Sequence, residues 1–215
     1  IINSNSYSLA AQLVQAGGEP VLIGIAADTR KATRDKIIEG LQADGLIISG
    51  GASVGDHDFV RDTILELQGE LLFSKVNMKP GKPATFATIG NKPVFALPGN
   101  PVAAMVCFEM FVRPAILKIL GYSQLMRPKV KAVLSGQVLN SGERPHLVSV
   151  RVAPEGDSYK AATITNQSSA NLASLTAGNG LLRLAPPSLL LADSDVEITL
   201  LDPDLGTGDI HYGTL

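Results

Sequence analysis

The sequence predicts a three-layer α/β domain, its mainly parallel sheet covered by helices on both faces, followed by a small all-β, barrel-like domain. Three observations carry this fold class. Up to about Gly121, apolar runs of strand length alternate with segments of helical periodicity, the pattern of βαβ units. Beyond Pro128 the helical periodicity stops, and short strand-like runs separated by polar turns take over. A chain of 215 residues with 45% hydrophobic and only 18% charged residues is ample for packed cores.

Taken in order, Asn5 to Ala16 repeats Leu9, Leu13 and Val14 at helical spacing, with Ser or Asn available as a cap before them and Gly17-Gly18 as a stop. Glu19 to Ile25 (EPVLIGI) predicts a short strand, Arg30 to Ala43 a helix carrying Ile37, Ile38 and Leu41, and Gly45 to Ser49 (GLIIS) a buried strand. After the glycine-rich loop Gly50 to Gly55, Val60, Ile64 and Leu67 mark one helix face, and Leu71 to Val76 returns to strand. Ala84 to Ile89, the Gly90-Asn91 turn and Pro93 to Leu97 read as a hairpin. Pro98 to Pro101 (PGNP) opens a long helix to about Leu120, with Asn100 placed to cap and Pro101 at the first helical position. In the β domain, Lys129 to Ser135, Leu147 to Val152, Tyr159 to Thr165, Leu181 to Leu184 and Val196 to Leu201 are the expected strands. The domains are expected at 1–122 and 129–202, with 203–215 a polar, aperiodic tail.

A net charge of −2 and the lack of Lys/Arg clusters interleaved with aromatics argue against a nucleic-acid face. The single cysteine, Cys107, excludes an intrachain disulfide, and its neighbours Met105, Val106 and Phe108 mark a buried helical thiol, not a nucleophile. No apolar run reaches the ~20 residues that span a bilayer, and the opening residues lack the features of a signal peptide. A cytoplasmic protein without a membrane partner is expected.

Chemistry is expected in three loops after strand ends, where open α/β sheets place ligands. The first contains Asp28, the second runs Gly50-Gly51-Ala52-Ser53-Val54-Gly55-Asp56-His57-Asp58, and the third is Pro98 to Pro101. Glycines let the backbone approach a ligand, and successive amide N–H groups can cup an anion. The helix start at Pro101 adds N–H groups without intrahelical partners. Neither loop has the spacing of a nucleotide or dinucleotide fingerprint. From Leu71 through Phe108 there is no acidic residue, whereas Lys75, Lys79, Lys82 and Lys92 all fall there, three of them around Lys79-Pro80-Gly81-Lys82-Pro83. Lysines held by prolines suit an oxyanion or phosphate; the plainer reading is a solvated turn. Asp28, Asp56 and Asp58 are oxygen donors of the kind Mg²⁺ takes together with substrate phosphates, although alone each is an ordinary cap or turn residue. His57, His146 and His211 are read as surface residues, since no nucleophile constellation can be placed beside His57.

Together these segments closely resemble the carboxyl-terminal half of molybdopterin molybdenumtransferases, the family of bacterial MoeA and of the gephyrin E domain. The resemblance covers roughly Asn3 to Leu201 and rests on Asn3-Ser4-Asn5-Ser6, Ser49 to Asp58 (SGGASVGDHD), Lys79 to Pro83 (KPGKP), Leu97 to Pro101 (LPGNP) and Asn166-Gln167-Ser168-Ser169. It implies a MogA-like molybdopterin-binding domain and an enzyme of molybdenum-cofactor synthesis. Such an enzyme takes adenylylated molybdopterin and molybdate, inserts molybdenum at the dithiolene, and releases AMP with the help of Mg²⁺. By motif, Asp28 and Asp58 resemble the acidic residues at metal and phosphate, and Lys79 and Lys82 the cations that hold phosphate or molybdate, with Lys75 a further candidate. Gly50, Gly51, Ser53, Val54, Gly55, Pro98, Gly99, Asn100 and Pro101 resemble the pterin-phosphate cradle. Ser168 and Ser169 resemble a loop that reaches toward molybdate.

The resemblance also implies a homodimer in the full-length protein, whose additional amino-terminal half supplies dimer contacts and acidic residues to the site. The present chain starts at the first helix of the α/β domain and is expected to bind without turning over on its own. Family members often carry two arginines in the segment matching Arg144 to Ser149 (RPHLVS); Arg144 keeps the first, and Ser149 stands in place of the second. Two other functions compete. One is a binding or scaffold module, as in the gephyrin branch. The other is a nucleotide-processing hydrolase of the competence-damage type, which would not be expected to carry this β domain.

Overall fold

A computed structural model describes residues 3–51, 59–164 and 175–202. The chain forms two compact units, residues 1–125 and 126–215. In the first, α1 (Ser4–Gln15) starts where the Asn3 side chain accepts from Ser6 N at 3.2 Å. It stops at Gly17, whose φ of +88° lets Gly17 N donate to Val14 O and Gly18 N to Leu13 O, satisfying the last carbonyls. Thr29 caps α2 (Arg30–Gly40) by accepting from Ala32 N. The sheet consists of β1 (Leu46–Ser49), β2 (Glu70–Ser74), β3 (Thr85–Ile89) and β4 (Lys92–Leu97) in the order β1-β4-β3-β2, with α3 (Phe59–Glu66) between β1 and β2. β1 runs parallel to β4, while the expected hairpin β3–β4 and the β2–β3 pair are antiparallel. The sheet is therefore mixed among the described residues.

Helices cover both faces, as β4 shows. Its Phe95 and Leu97 pack with Leu9, Ala104, Cys107 and Phe108, while Val94 and Ala96 on the opposite face join Ile37, Val60 and Ile64. Full burial of side chains such as Phe108 and Ile64 contributes roughly 1.5–3 kcal/mol each, which holds the layers together. The long helix after PGNP is α4 (Pro101–Cys107), a π turn (Phe108–Val112) and α5 (Arg113–Ile119). Pro114, which has no N–H for the regular ladder, follows directly, and Arg113 N reaches back to Phe108 O across the wide turn.

One expected strand is absent. Residues 19–25 join no ladder, and Val21, Leu22 and Ile25 are exposed; Ile23 alone of the four packs into the α2–α3 side of the core. An apolar run becomes a strand only when a neighbouring edge takes up its amides and carbonyls. Among the described residues the tie here is a side-chain one, from Lys36 Nζ to Ile23 O.

The second unit contains β5 (Lys129–Leu134), β6 (Val138–Asn140), β7 (His146–Glu155), β8 (Ser158–Thr163), β9 (Gly180–Leu184), β10 (Ser188–Leu190) and β11 (Asp195–Leu200). Strands β11-β5-β8-β7-β9 close into a barrel, and β10–β6 form a separate ribbon. Alternate β7 residues Val148, Val150 and Val152 point inward to meet Leu134, Leu182, Leu184 and Ile198. The expected tail, 203–215, lies outside the described residues.

Candidate ligand-binding site

Three segments converge at one end of the sheet because of its topology. Ser49 pairs with Leu97, so Gly50-Gly51 and Pro98-Gly99 both leave the carboxyl ends of parallel strands. Thr85 pairs with Ala96 and with Ser74, which brings the connection from Lys75 to Ala84, and with it the lysine turn, to the same end. Gly50 N donates to Leu97 O at 3.1 Å, extending the ladder by one step. The two glycine loops then touch. A Cβ on Gly99 would lie 3.5 Å from Gly50 Cα, and one on Gly50 would lie 3.9 Å from Gly99 Cα. Gly50 and Gly51 have φ of +84° and +73°, conformations that L side chains rarely adopt.

The lysine turn is built from within. Lys75 N donates to Ala84 O, Val76 N to Lys82 O and Ala84 N to Gly81 O. Lys75 itself has φ +68°, a costly conformation for a long side chain and one met more often at functional sites. The turn rests on the helix behind it: Gly81 O lies 3.8 Å from Cys107 Sγ, and a Cβ on Gly81 would come within 2.6 Å of that sulfur. Lys75, Lys79 and Lys82 are exposed. Lys92 belongs to the other end of β4, where its Nζ donates to Leu41 O. At ~3.3 Å per residue that is roughly 17 Å from Leu97.

Cys107 is fully buried, and burial pushes its thiol up to about 12, which leaves it a packing residue and not a nucleophile. Pro101 takes the first helical position, and Asn100 sits at the N-cap but makes no side-chain bond to the helix amides. Asp28 is exposed just before α2, and no hydrogen bond or ion pair among the described residues ties it to the two glycine loops or the lysine turn; Arg30 and Arg34 of α2 pair with Glu66 of α3. Ser53, Val54, Gly55, Asp56, His57, Asp58, Ser168, Ser169 and His211 lie outside the described residues.

Of the residues read as surface, His146 is half-buried, because it begins β7 opposite Leu184. Ser149 is buried on the face of β7 opposite to Val148 and Val150, where a Cβ on Gly178 would come within 2.2 Å of its Oγ. One residue of the site was not singled out from the sequence. Asn5 of α1 donates through Nδ2 to Ser49 Oγ at 2.7 Å and to Gly99 O at 2.8 Å, bridging the two glycine loops. Its only sequence signal was membership of Asn3-Ser4-Asn5-Ser6.

Comparison with known proteins gives a consistent picture. Residues 1–118 match the family described as "Probable molybdopterin binding domain", and residues 131–201 match "MoeA C-terminal region (domain IV)". The chain is 41% identical over 145 residues to a molybdopterin molybdenumtransferase of Nostoc sp., covering 66% of this chain and 33% of that protein. It is 35% identical over 188 residues to the molybdenum cofactor synthesis protein cinnamon of Drosophila melanogaster, covering 86% of this chain and 31% of that protein. Among solved structures, a molybdopterin biosynthesis moeA protein from Pyrococcus horikoshii superposes with a TM-score of 0.79 at 30% identity, over 94% of this chain and 49% of that one. The chain thus spans about a third of the length of the curated relatives it matches.

Proposed function

The chain belongs to the molybdopterin-binding family of molybdenum-cofactor biosynthesis, and from that premise we propose that its α/β unit holds adenylylated molybdopterin at the end of the sheet where the two glycine loops and the lysine turn meet. The observation that carries this is the convergence itself: close backbone at Gly50 and Gly99, with Lys79 and Lys82 on a turn pinned to the same edge. Backbone N–H groups and ammonium groups are the donors that phosphate and molybdate oxygens require.

The whole protein, in this reading, is a molybdopterin molybdenumtransferase of the cytoplasm that acts as a homodimer, with molybdate and adenylylated molybdopterin as substrates and AMP released. Lys79 and Lys82 hold the anionic groups, Lys75 adds charge, and Gly50, Gly51, Ser53, Val54, Gly55 and Pro98 to Pro101 cradle the pterin phosphate. Asp28 and Asp58 face phosphate and metal, and Ser168 and Ser169 serve molybdate.

Among the described residues no three carboxylate, imidazole or thiol groups are grouped to hold a metal ion. Mg²⁺ usually binds one or two carboxylates together with substrate phosphates, and in this reading Asp28 and Asp58 are those carboxylates. When bound, Mg²⁺ neutralises charge developing on the phosphate oxygens. No helix among the described residues is long and apolar enough to cross a membrane.

The test compares Lys79→Ala, Lys82→Ala and Lys92→Ala by calorimetry with molybdopterin at fixed salt. The first two are each expected to lose roughly 1.5–3 kcal/mol, as for charged hydrogen bonds, and the third to bind like the parent. Equal affinity in all three removes the lysine turn from the site.

A further inference from the structure

Asn5 and Gln12 lie seven residues apart on α1, each 8% exposed, and each uses its amide to hold a different part of the unit. Gln12 Nε2 donates to Met105 O at 3.2 Å and Glu109 Oε1 at 3.0 Å, fastening α1 to α4 and the π turn behind the sheet. Asn5 Nδ2 instead spans segments far apart in the chain, reaching Ser49 Oγ and Gly99 O, and Ser49 Oγ in turn lies 3.4 Å from Pro98 O. The bridge therefore closes across the point where the two glycine loops separate from the ladder.

Resting on the molybdopterin-binding reading above, we propose that Asn5 is a positioning residue for the ligand: it clamps the Ser49–Gly51 loop to the Pro98–Asn100 turn at the spacing the pterin phosphate requires. Two features support it. The glycines at the contact have no side chains with which to interlock, so the spacing of the loops depends on hydrogen bonds. Only a donor group can serve both acceptors, and the asparagine amide offers two N–H bonds from one nitrogen. Asn5 Oδ1 and Gln12 Oε1 are both buried with no hydrogen-bond partner among the described residues, so the two amides differ in which segments their nitrogens hold.

The experiment uses the full-length protein with Asn5→Ala, Asn5→Asp and Gln12→Ala. Molybdopterin affinity is measured by calorimetry, unfolding by heat, and amide hydrogen exchange at residues 49–51 and 98–100. Asn5→Asp keeps the shape but cannot donate. Both Asn5 variants are expected to lose at least about tenfold in affinity, and their loop amides to exchange faster, whereas Gln12→Ala lowers Tm yet binds within about twofold of the parent. Parent-like affinity and exchange in Asn5→Ala overturn the proposal. If Asn5→Ala does not fold, Ser49→Ala removes one end of the bridge without touching the buried amide; unchanged loop exchange in it is equally fatal. If the parent itself fails to bind molybdopterin, the function proposed above falls, while the exchange arm still decides whether Asn5 clamps the loops.

Discussion

Gly81 shows how one residue ties the lysine turn to the core. Its φ of +111° and the 2.6 Å approach of a Cβ to Cys107 Sγ leave no room for a side chain. Gly81→Ala is expected to destabilise the protein by about 1–3 kcal/mol, as overpacking does. Adding Cys107→Ala should return part of that loss, and strictly additive unfolding energies would show that the two residues do not press on each other. Cys107 also gives a pH signature. Its thiol is held at about 12 against 9.0 for an unperturbed group, because burial opposes the thiolate. Between those values the unfolded chain releases the proton and the folded chain keeps it, so stability present below pH 9 declines as pH rises toward 12. Denaturant titrations should show a shallower decline over that window in Cys107→Ala than in the parent.

At the scale of elements, periodicity was readable wherever neighbours in space confirmed it. The helix from Pro101 is announced by its PGNP opening, and the β3–β4 hairpin by Gly90-Asn91 between two strand-like runs. The sequence could not show that residues 19–25 join no ladder, because the apolar content of EPVLIGI is the same whether or not a partner edge is present. β6 and β10, of three residues each, are too short to show a period. The convergence of the lysine turn with the glycine loops was only partly legible: the motifs were visible, but that the turn sits opposite Leu97 follows from strand pairing. Asn5 was missed because an asparagine near a helix start reads as a cap. Ile23→Ala should cost about 1–3 kcal/mol, since Ile23 packs against the α2–α3 side of the core, while the exposed Leu22→Ala should fall within about 0.5 kcal/mol. Urea denaturation giving equal losses would mean that both side chains are buried in solution.

At the scale of the whole molecule, the α/β unit has its own cores on both faces of the sheet, and the barrel has a separate one. The loops proposed to hold the pterin are thus supported from within residues 1–125. Binding needs only those donors in place. Turnover demands more, because stabilising charge in a transition state requires every charged partner to be positioned at once, and loss of one such group commonly costs about two to three orders of magnitude in rate. The chain spans 33% of the Nostoc transferase and 31% of cinnamon. A polypeptide of these 215 residues is accordingly expected to bind molybdopterin and yet to make molybdenum cofactor far more slowly than a full-length relative. The check is to incubate it with adenylylated molybdopterin, molybdate and Mg²⁺, then to measure both pterin retained on the protein and reconstitution of a molybdenum-free apoenzyme. Retention without reconstitution is the expected result. Reconstitution at the rate of the full-length relative would show that these residues already contain every group the chemistry uses, and Asp28→Asn and Lys79→Ala in that same polypeptide would then identify which of them carry it.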